Sequence, residues 1–278
     1  MSDKTKGNML KYRLIFGTLM TLAFAGIVLL DPWKPVLLVV LVAALMVPGL
    51  FELSKLADAK GAKILLPCSI PASMLLATSS FWVHKLPLTP IASIYILFAL
   101  TVCLFFLYQK IRYGLAGVFI NMGAASFSIL YLGLLCGFIP AVNTHFGPWQ
   151  LLMLVFVVKA CDIGAYTAGR LWGKHKFSPV ISPKKTWEGM AGGVTLSVIV
   201  AVGFAFFCDI MAWWLGVIFG IIFAFLGQFG DLAESMLKRD AETKDASNNV
   251  PGYGGILDVV DSILVTAPFG FLFFSFLS

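Results

Sequence analysis

Residues 190–208 read MAGGVTLSVIVAVGFAFFC, nineteen positions without one charged side chain. At 1.5 Å per residue a helix of that length rises about 28 Å, close to the hydrocarbon thickness of a bilayer. The stretch is apolar all round, so a helix built from it has no face to offer water. It reads as a membrane span, and the chain on either side repeats the pattern.

Working outward, apolar runs near the length of a span lie at about 14–30, 35–51, 64–83, 88–108, 115–138, 149–171, 190–208, 211–229 and 256–277. The 278 residues are 59% hydrophobic and 12% charged, against about 25% charged in a soluble domain. The mean hydropathy is +0.92. The expected fold is all-α, a polytopic integral membrane protein with about nine transmembrane helices. It is read as a single integral membrane domain over 1–278, with spans one to five in 1–148 and spans six to nine, with the long loops, in 149–278. The first apolar run is too long for a signal-peptide core and no small-residue cleavage site follows it, so it is read as a retained helix. Cys68, Cys103, Cys136, Cys161 and Cys208 all lie inside spans, with no pair closer than 25 residues, which excludes a CxxC metal or redox site.

With nine spans, the amino terminus and every second connection share one face. Seventeen of the 20 Lys and Arg fall there, in five clusters, while the other face holds only Lys34 and Lys85 and a span holds Lys159. Positive charge marks the cytoplasmic side, so the amino terminus is expected inside and the carboxyl terminus outside. The net charge of +6 is explained by topology and needs no nucleic acid; attraction to anionic membrane lipid accompanies it.

The two longest connections, at about 172–189 and 230–255, lie on the basic face and hold nearly all residues with chemical character. The first five spans offer little beyond apolar bulk, and no site residue is expected in them. Asp162 sits inside span six, where a carboxylate is costly and marks function by default. Lys159, one turn earlier, offers a structural ion pair instead, and both readings stand. Ser182-Pro183-Lys184-Lys185-Thr186 is read as a turn before span seven whose two ammonium groups and hydroxyls suit a polyphosphate. A solvated stop-transfer cluster is the plainer alternative. GRLWGK (169–174) lacks the spacing of a phosphate loop and does not follow a strand; the pairs Gly169/Gly173 and Gly216/Gly220 fit close helix packing in lipid.

The downstream connection reads GDLAESMLKRDAETKDASNNVPGYGGILDVVDS (230–262). Asp231 and Glu234 stand three apart at an expected helix end, and Lys238 and Arg239 follow one turn on. Pro251 to Gly255 is a flexible turn that lets backbone approach a ligand. Asp258 and Asp261 then share one face of the last span, about 5–6 Å apart at Cβ, near a helix start whose dipole favours negative charge. One acid suffices for a cap, and Asp261 lies deeper than a cap needs. With Asp231 the pair makes a hard-oxygen set for a divalent cation that also binds phosphate oxygens.

SMLKRDAETKDASNNVPGYGGILDVVDS (235–262) resembles the carboxyl-terminal signature of the phosphatidate cytidylyltransferases, also called CDP-diacylglycerol synthases. DIGAYTAGRLWGKHKFSPVISPKKTWEG (162–189) is similar to the same family's upstream motif. The resemblance runs in order through about 160–278, and the first half matches only as a string of spans. It implies a nucleotidyltransferase of phospholipid biosynthesis that moves the cytidylyl group of CTP to phosphatidic acid, giving CDP-diacylglycerol and pyrophosphate. Mg2+ is the implied cofactor, with K+ beside it, and a bacterial-type cell inner membrane the implied location. Carried over by position, the metal acids are Asp231, Asp258 and Asp261, and nucleotide and phosphate contacts fall on Ser182, Lys184, Lys185, Lys238 and Arg239. Lys238 joins the acids in catalysis; Thr186, Asp162 and Tyr253 complete the expected substrate contacts. Tyr253 stands where the signature has His, and Val259, where it has Arg, removes a cation beside the acids. The partners are CTP, phosphatidic acid and membrane lipid, and a homodimer is compatible with the sequence. A transporter lined by the intramembrane acids, a transferase for another lipid and a catalytically silent relative are the competing readings.

Overall fold

Apolar segments can satisfy their backbone inside a membrane as helices, because each N–H and C=O then pairs within its own segment. In the computed structural model, which describes residues 19–30, 36–87, 89–243, 247 and 254–277, the apolar runs do form helices. In chain order they are α1 (Leu19–Leu30), α2 (Val36–Ala59), α3 (Leu66–Ala77), α4 (Ser79–Trp82) with a 3-10 turn at Val83–Lys85, α5 (Pro90–Arg112) and α6 (Val118–Ser128). A π-helical stretch, Ile129–Leu134, continues α6 into α7 (Leu135–Phe146). Then come α8 (Pro148–Trp172), two short strands β1 (Lys176–Ser178) and β2 (Ser182–Thr186), α9 (Trp187–Phe207), α10 (Trp213–Asp240) and α11 (Leu257–Ser275).

Seven helical stretches are long and apolar enough to cross a membrane, with Val118–Phe146 counted as one. The protein is an integral membrane protein of the expected class, but the count of nine is not reached among the described residues. Of the other two expected spans, the first has residues 14–18 outside the described residues, which hold the rest of it as α1, and the third is the shorter helix α3. α3 stops where the Thr78 hydroxyl turns back to donate to the Met74 carbonyl at 2.8 Å. Large apolar side chains such as Leu115, Phe119, Phe207 and Trp213 stand exposed, as lipid-facing residues should.

The chain divides into two compact units, Met1–Pro140 with Ala241–Val259 and Ala141–Asp240 with Val260–Ser278. In the first, Leu65, Ala72, Leu76, Phe105, Ala125 and Ile129 form a buried core from α3 and the residue before it, α5, α6 and the start of the π-helical stretch. Gln109 and Asn121, both buried, join α5 to α6 by a side-chain hydrogen bond of 3.0 Å, and the Asn121 side-chain Oδ1 accepts the Lys63 N–H at 2.7 Å.

The second unit is drawn together by glycines. A methyl on Gly193 of α9 would meet the Cys161 sulfur of α8 at 2.8 Å, and one on Gly220 of α10 would meet the Val198 Cα of α9 at 2.6 Å. Backbones approach this closely only where small residues allow it, so the packing role expected for Gly216 and Gly220 holds. Stacked Phe219 and Phe223, 3.9 Å between ring centroids, pack edge-on against Phe273 of α11.

Two local readings are corrected. The span expected to end at 229 continues as helix to Asp240, because its polar residues pair along the helix: Lys238 with Glu234 at i, i+4, and the Ser235 hydroxyl to Asp231 at 3.5 Å. The SPKKT segment is strand β2, antiparallel to β1 with Lys176 opposite Thr186 and Ser178 opposite Ser182. Glu188 secures the base of this hairpin by accepting the Lys174 N–H at 3.1 Å and the His175 N–H at 3.2 Å.

Candidate active site

On α10, Gln228, Asp231, Glu234 and Lys238 recur at three- and four-residue intervals and so line one face. Glycines let neighbouring helices come close to α10 beside that face. A methyl on Gly227 would meet Val158 Cγ1 of α8 at 3.0 Å, and one on Gly230 would meet the Asp261 carbonyl of α11 at 2.9 Å. Asp261 is thereby carried to α10, where Asp231, Glu234 and Asp261 offer carboxylate oxygens all within 4.8 Å of one another. Among the described residues this is the carboxylate cluster able to hold a metal ion.

Glu234 and Asp261 are buried and Asp231 is half-buried. Carboxylates this close repel, and burial removes the water that would screen them. Two ammonium groups offset part of that cost. Lys185 of β2 meets Asp231 at 2.7 Å, and the buried Lys238 pairs with Glu234. Asp261 forms no ion pair among the described residues; one of its oxygens accepts the Ser262 N–H. Three carboxylates against two ammonium groups leave a negative surplus. The oxygens also fit within one coordination shell of a hard divalent cation, about 4–5 Å across, so the donor set suits such an ion.

A second polar chain adjoins it in the same unit. Lys159 of α8 donates to the Ser262 hydroxyl at 3.0 Å and pairs with Asp162 at 3.6 Å, while the Gln228 amide donates to Asp162 at 3.2 Å. The structural ion pair weighed for Asp162 is thus present, and Gln228 adds a partner that sequence spacing did not suggest.

Strand alternation separates the two lysines of β2. Lys185 reaches Asp231, whereas Lys184, on the opposite face of the strand, is exposed. Thr186, expected to touch substrate, is buried and accepts the Gly189 N–H at 3.1 Å as the amino-terminal cap of α9. Arg239 donates to the Ile181 carbonyl at 3.3 Å, which ties the hairpin to α10. Ser182 opens β2, partly exposed. Tyr253, also expected at the site, lies outside the described residues.

Asp258 belongs to the other unit, where its carboxylate accepts the Gly255 N–H at 2.7 Å in the first turn of α11. There too lies a residue the sequence reading passed over. Glu52, near the end of α2 and 1% exposed, accepts the Ile256 N–H at 3.0 Å, the Leu257 N–H at 2.9 Å and the Ser247 hydroxyl at 2.5 Å. In the sequence Glu234 reads only as a neighbour of Asp231. The signal for both was the same, a carboxylate at the end of an apolar run, where it is expensive unless something pairs with it.

Carboxylates interleaved with lysines, at the polar end of membrane helices, define an integral membrane protein with a site that carries charges of both signs. Residues 11–277 match the family model described as "Cytidylyltransferase family". A phosphatidate cytidylyltransferase of Staphylococcus saprophyticus is 40% identical over 198 residues, covering 70% of this chain and 72% of that protein. Those of Staphylococcus haemolyticus and Staphylococcus aureus are each 34% identical over 258 residues, covering 92% of this chain and 90% of theirs. The chain belongs to the phosphatidate cytidylyltransferase family.

Proposed function

We propose that this protein transfers the cytidylyl group of CTP to phosphatidic acid, releasing pyrophosphate and forming CDP-diacylglycerol. The observation that carries the reading is the carboxylate trio Asp231, Glu234 and Asp261 with Lys185 and Lys238 paired to it, in a chain of this family. A phosphatidate oxygen attacks the α-phosphorus of CTP, the bond from that phosphorus to the bridging oxygen breaks, and its electrons leave with pyrophosphate. The nucleophile is already an anion, so no strong base is required; catalysis rests on positioning and charge neutralisation.

Asp231, Glu234 and Asp261 would hold Mg2+, which when bound neutralises charge on phosphate oxygens. The residues divide the remaining work. Lys185 and Lys238 are ammonium groups able to turn from their carboxylates toward phosphate oxygens once a cation satisfies those carboxylates. Asp162, held between Lys159 and Gln228, keeps a polar wall beside the trio. Asp258 stands as a further metal acid by family position, and K+ as a second ion. The apolar helix surfaces keep the acyl chains in lipid while the headgroup meets the nucleotide.

The test is purified protein in detergent with radiolabelled CTP, phosphatidic acid and Mg2+, followed for CDP-diacylglycerol. Labelled product that depends on all three supports the reading, and its absence under every divalent cation overturns it.

The same reading places the site on the cytoplasmic face of the cell inner membrane. Cysteine at position 180, an exposed residue of the β1–β2 turn, is expected to resist an impermeant thiol reagent in sealed cells, and cysteine at position 145 to react. Labelling of 180 in sealed cells would put the site on the wrong side of the membrane for CTP. A homodimer is part of the proposal only as an assembly state, to be read from the mass of the detergent-purified protein.

A further inference from the structure

The first four N–H groups of a helix have no partner within it, and inside a protein each must find one. At the start of α11 two of these donors, the N–H groups of Ile256 and Leu257, are satisfied by Glu52, a residue about 200 positions away in sequence on α2. The same carboxylate takes the Ser247 hydroxyl. It therefore grips the connection on both sides of the 248–253 segment and fixes where the helix begins.

A local cap would have been cheaper. Asp258 already provides one, reaching back to Gly255 N–H at 2.7 Å. A carboxylate on α2 adds nothing to a local turn that a serine could not. Instead it ties the turn and the first residues of α11 to a rigid membrane helix. Glu52 is 1% exposed, so these donors replace the water that a buried carboxylate lacks. Carboxylate and turn hold each other in one arrangement. The helix dipole adds to this, since negative charge is favoured at a helix start. A methyl on Gly49, one turn before Glu52, would sit 3.4 Å from the Leu257 side chain, so α2 contacts the same point by packing as well.

We infer that Glu52 is a positioning residue for the reaction: it anchors the start of α11 and so sets where the Asp258 carboxylate is presented. The inference rests on the cytidylyl-transfer reading and on Asp258 as one of its metal acids, and it adds a residue from the amino-terminal half to the machinery. Glu52→Gln is nearly isosteric but offers a single acceptor oxygen and turns an NH2 toward N–H donors. It is expected to quicken amide exchange of the 254–260 peptide about tenfold without nucleotide or metal present, as lost charge-assisted hydrogen bonds should. In turnover it should raise the Mg2+ concentration for half-maximal rate and lower kcat, each about tenfold, while KM for phosphatidic acid stays within twofold. Glu52→Asp, which keeps the charge on a shorter arm, should recover part of both effects.

Half-saturation constants do not depend on the fraction of protein that folds, so a loss of yield alone leaves them unmoved. Faster exchange with wild-type Mg2+ dependence and kcat overturns the inference, because the anchor is then only structural. Unchanged exchange overturns it as well, since the turn then needs no anchor. A wild-type protein that makes no CDP-diacylglycerol overturns the functional reading and the catalytic part of this inference together. The exchange result is still read separately in that case, so the two failures are distinguishable.

Discussion

Asp261→Asn is expected to reduce turnover by roughly a thousandfold or more while the protein still inserts and purifies as a monodisperse species. The side chain is buried, and it is the member of the carboxylate trio without an ion pair among the described residues. It is thus the carboxylate whose charge most needs a cation. Asparagine keeps the shape and the acceptor for the Ser262 N–H but loses that charge. Several kcal/mol of transition-state stabilisation go with a metal's charge, and each 1.4 kcal/mol is tenfold in rate. Removing a buried charge that stands beside two other carboxylates also relieves repulsion with Asp231 and Glu234, so Asp261→Asn should unfold at the same or a higher temperature than wild type in metal-free buffer. The two signs together distinguish a ligand from a packing residue. Near-wild-type kcat at limiting Mg2+ would remove Asp261 from the metal site, and a lower unfolding temperature would make it structural.

Lys185→Ala should lower kcat/KM for CTP by about tenfold to a hundredfold, the equivalent of one charge-assisted phosphate contact at roughly 1.5–3 kcal/mol. Lys184→Ala should cost less than about fivefold, as exposed surface charges generally do. The neighbours differ because of β2. In a turn both ammonium groups could have faced one ligand, but along a strand successive side chains point to opposite faces, and it is Lys185 that meets Asp231. Steady-state kinetics of both variants at saturating phosphatidic acid decide the matter. Equal losses would mean that the hairpin rearranges when nucleotide binds and that alternation does not select the lysine.

The sequence alone determined the class of fold. Runs such as 190–208 have no hydrophilic face, so only membrane helices could satisfy their backbone, and that inference needs no tertiary information. It also marked Asp231 and Asp261 by their spacing at helix ends and Lys185 by the pair of cations in SPKKT, while Lys238 was marked by the family resemblance. What it could not supply was which charges compensate which. The extension of α10 to Asp240 depends on pairs made once the helix exists, such as Glu234 with Lys238, and hydropathy alone ends the span at 229. The hairpin that separates Lys184 from Lys185, and the burial of Thr186 as a cap, follow from strand pairing across a turn. Glu234 entered the trio because Gly227 and Gly230 let α8 and α11 come up to α10. Glu52, in a half of the chain that reads as apolar bulk, found its partners about 200 residues downstream. Hydrophobicity is a property of a segment and is legible along the chain; the compensation of a buried charge is a property of pairs, and tertiary packing decides which pairs form.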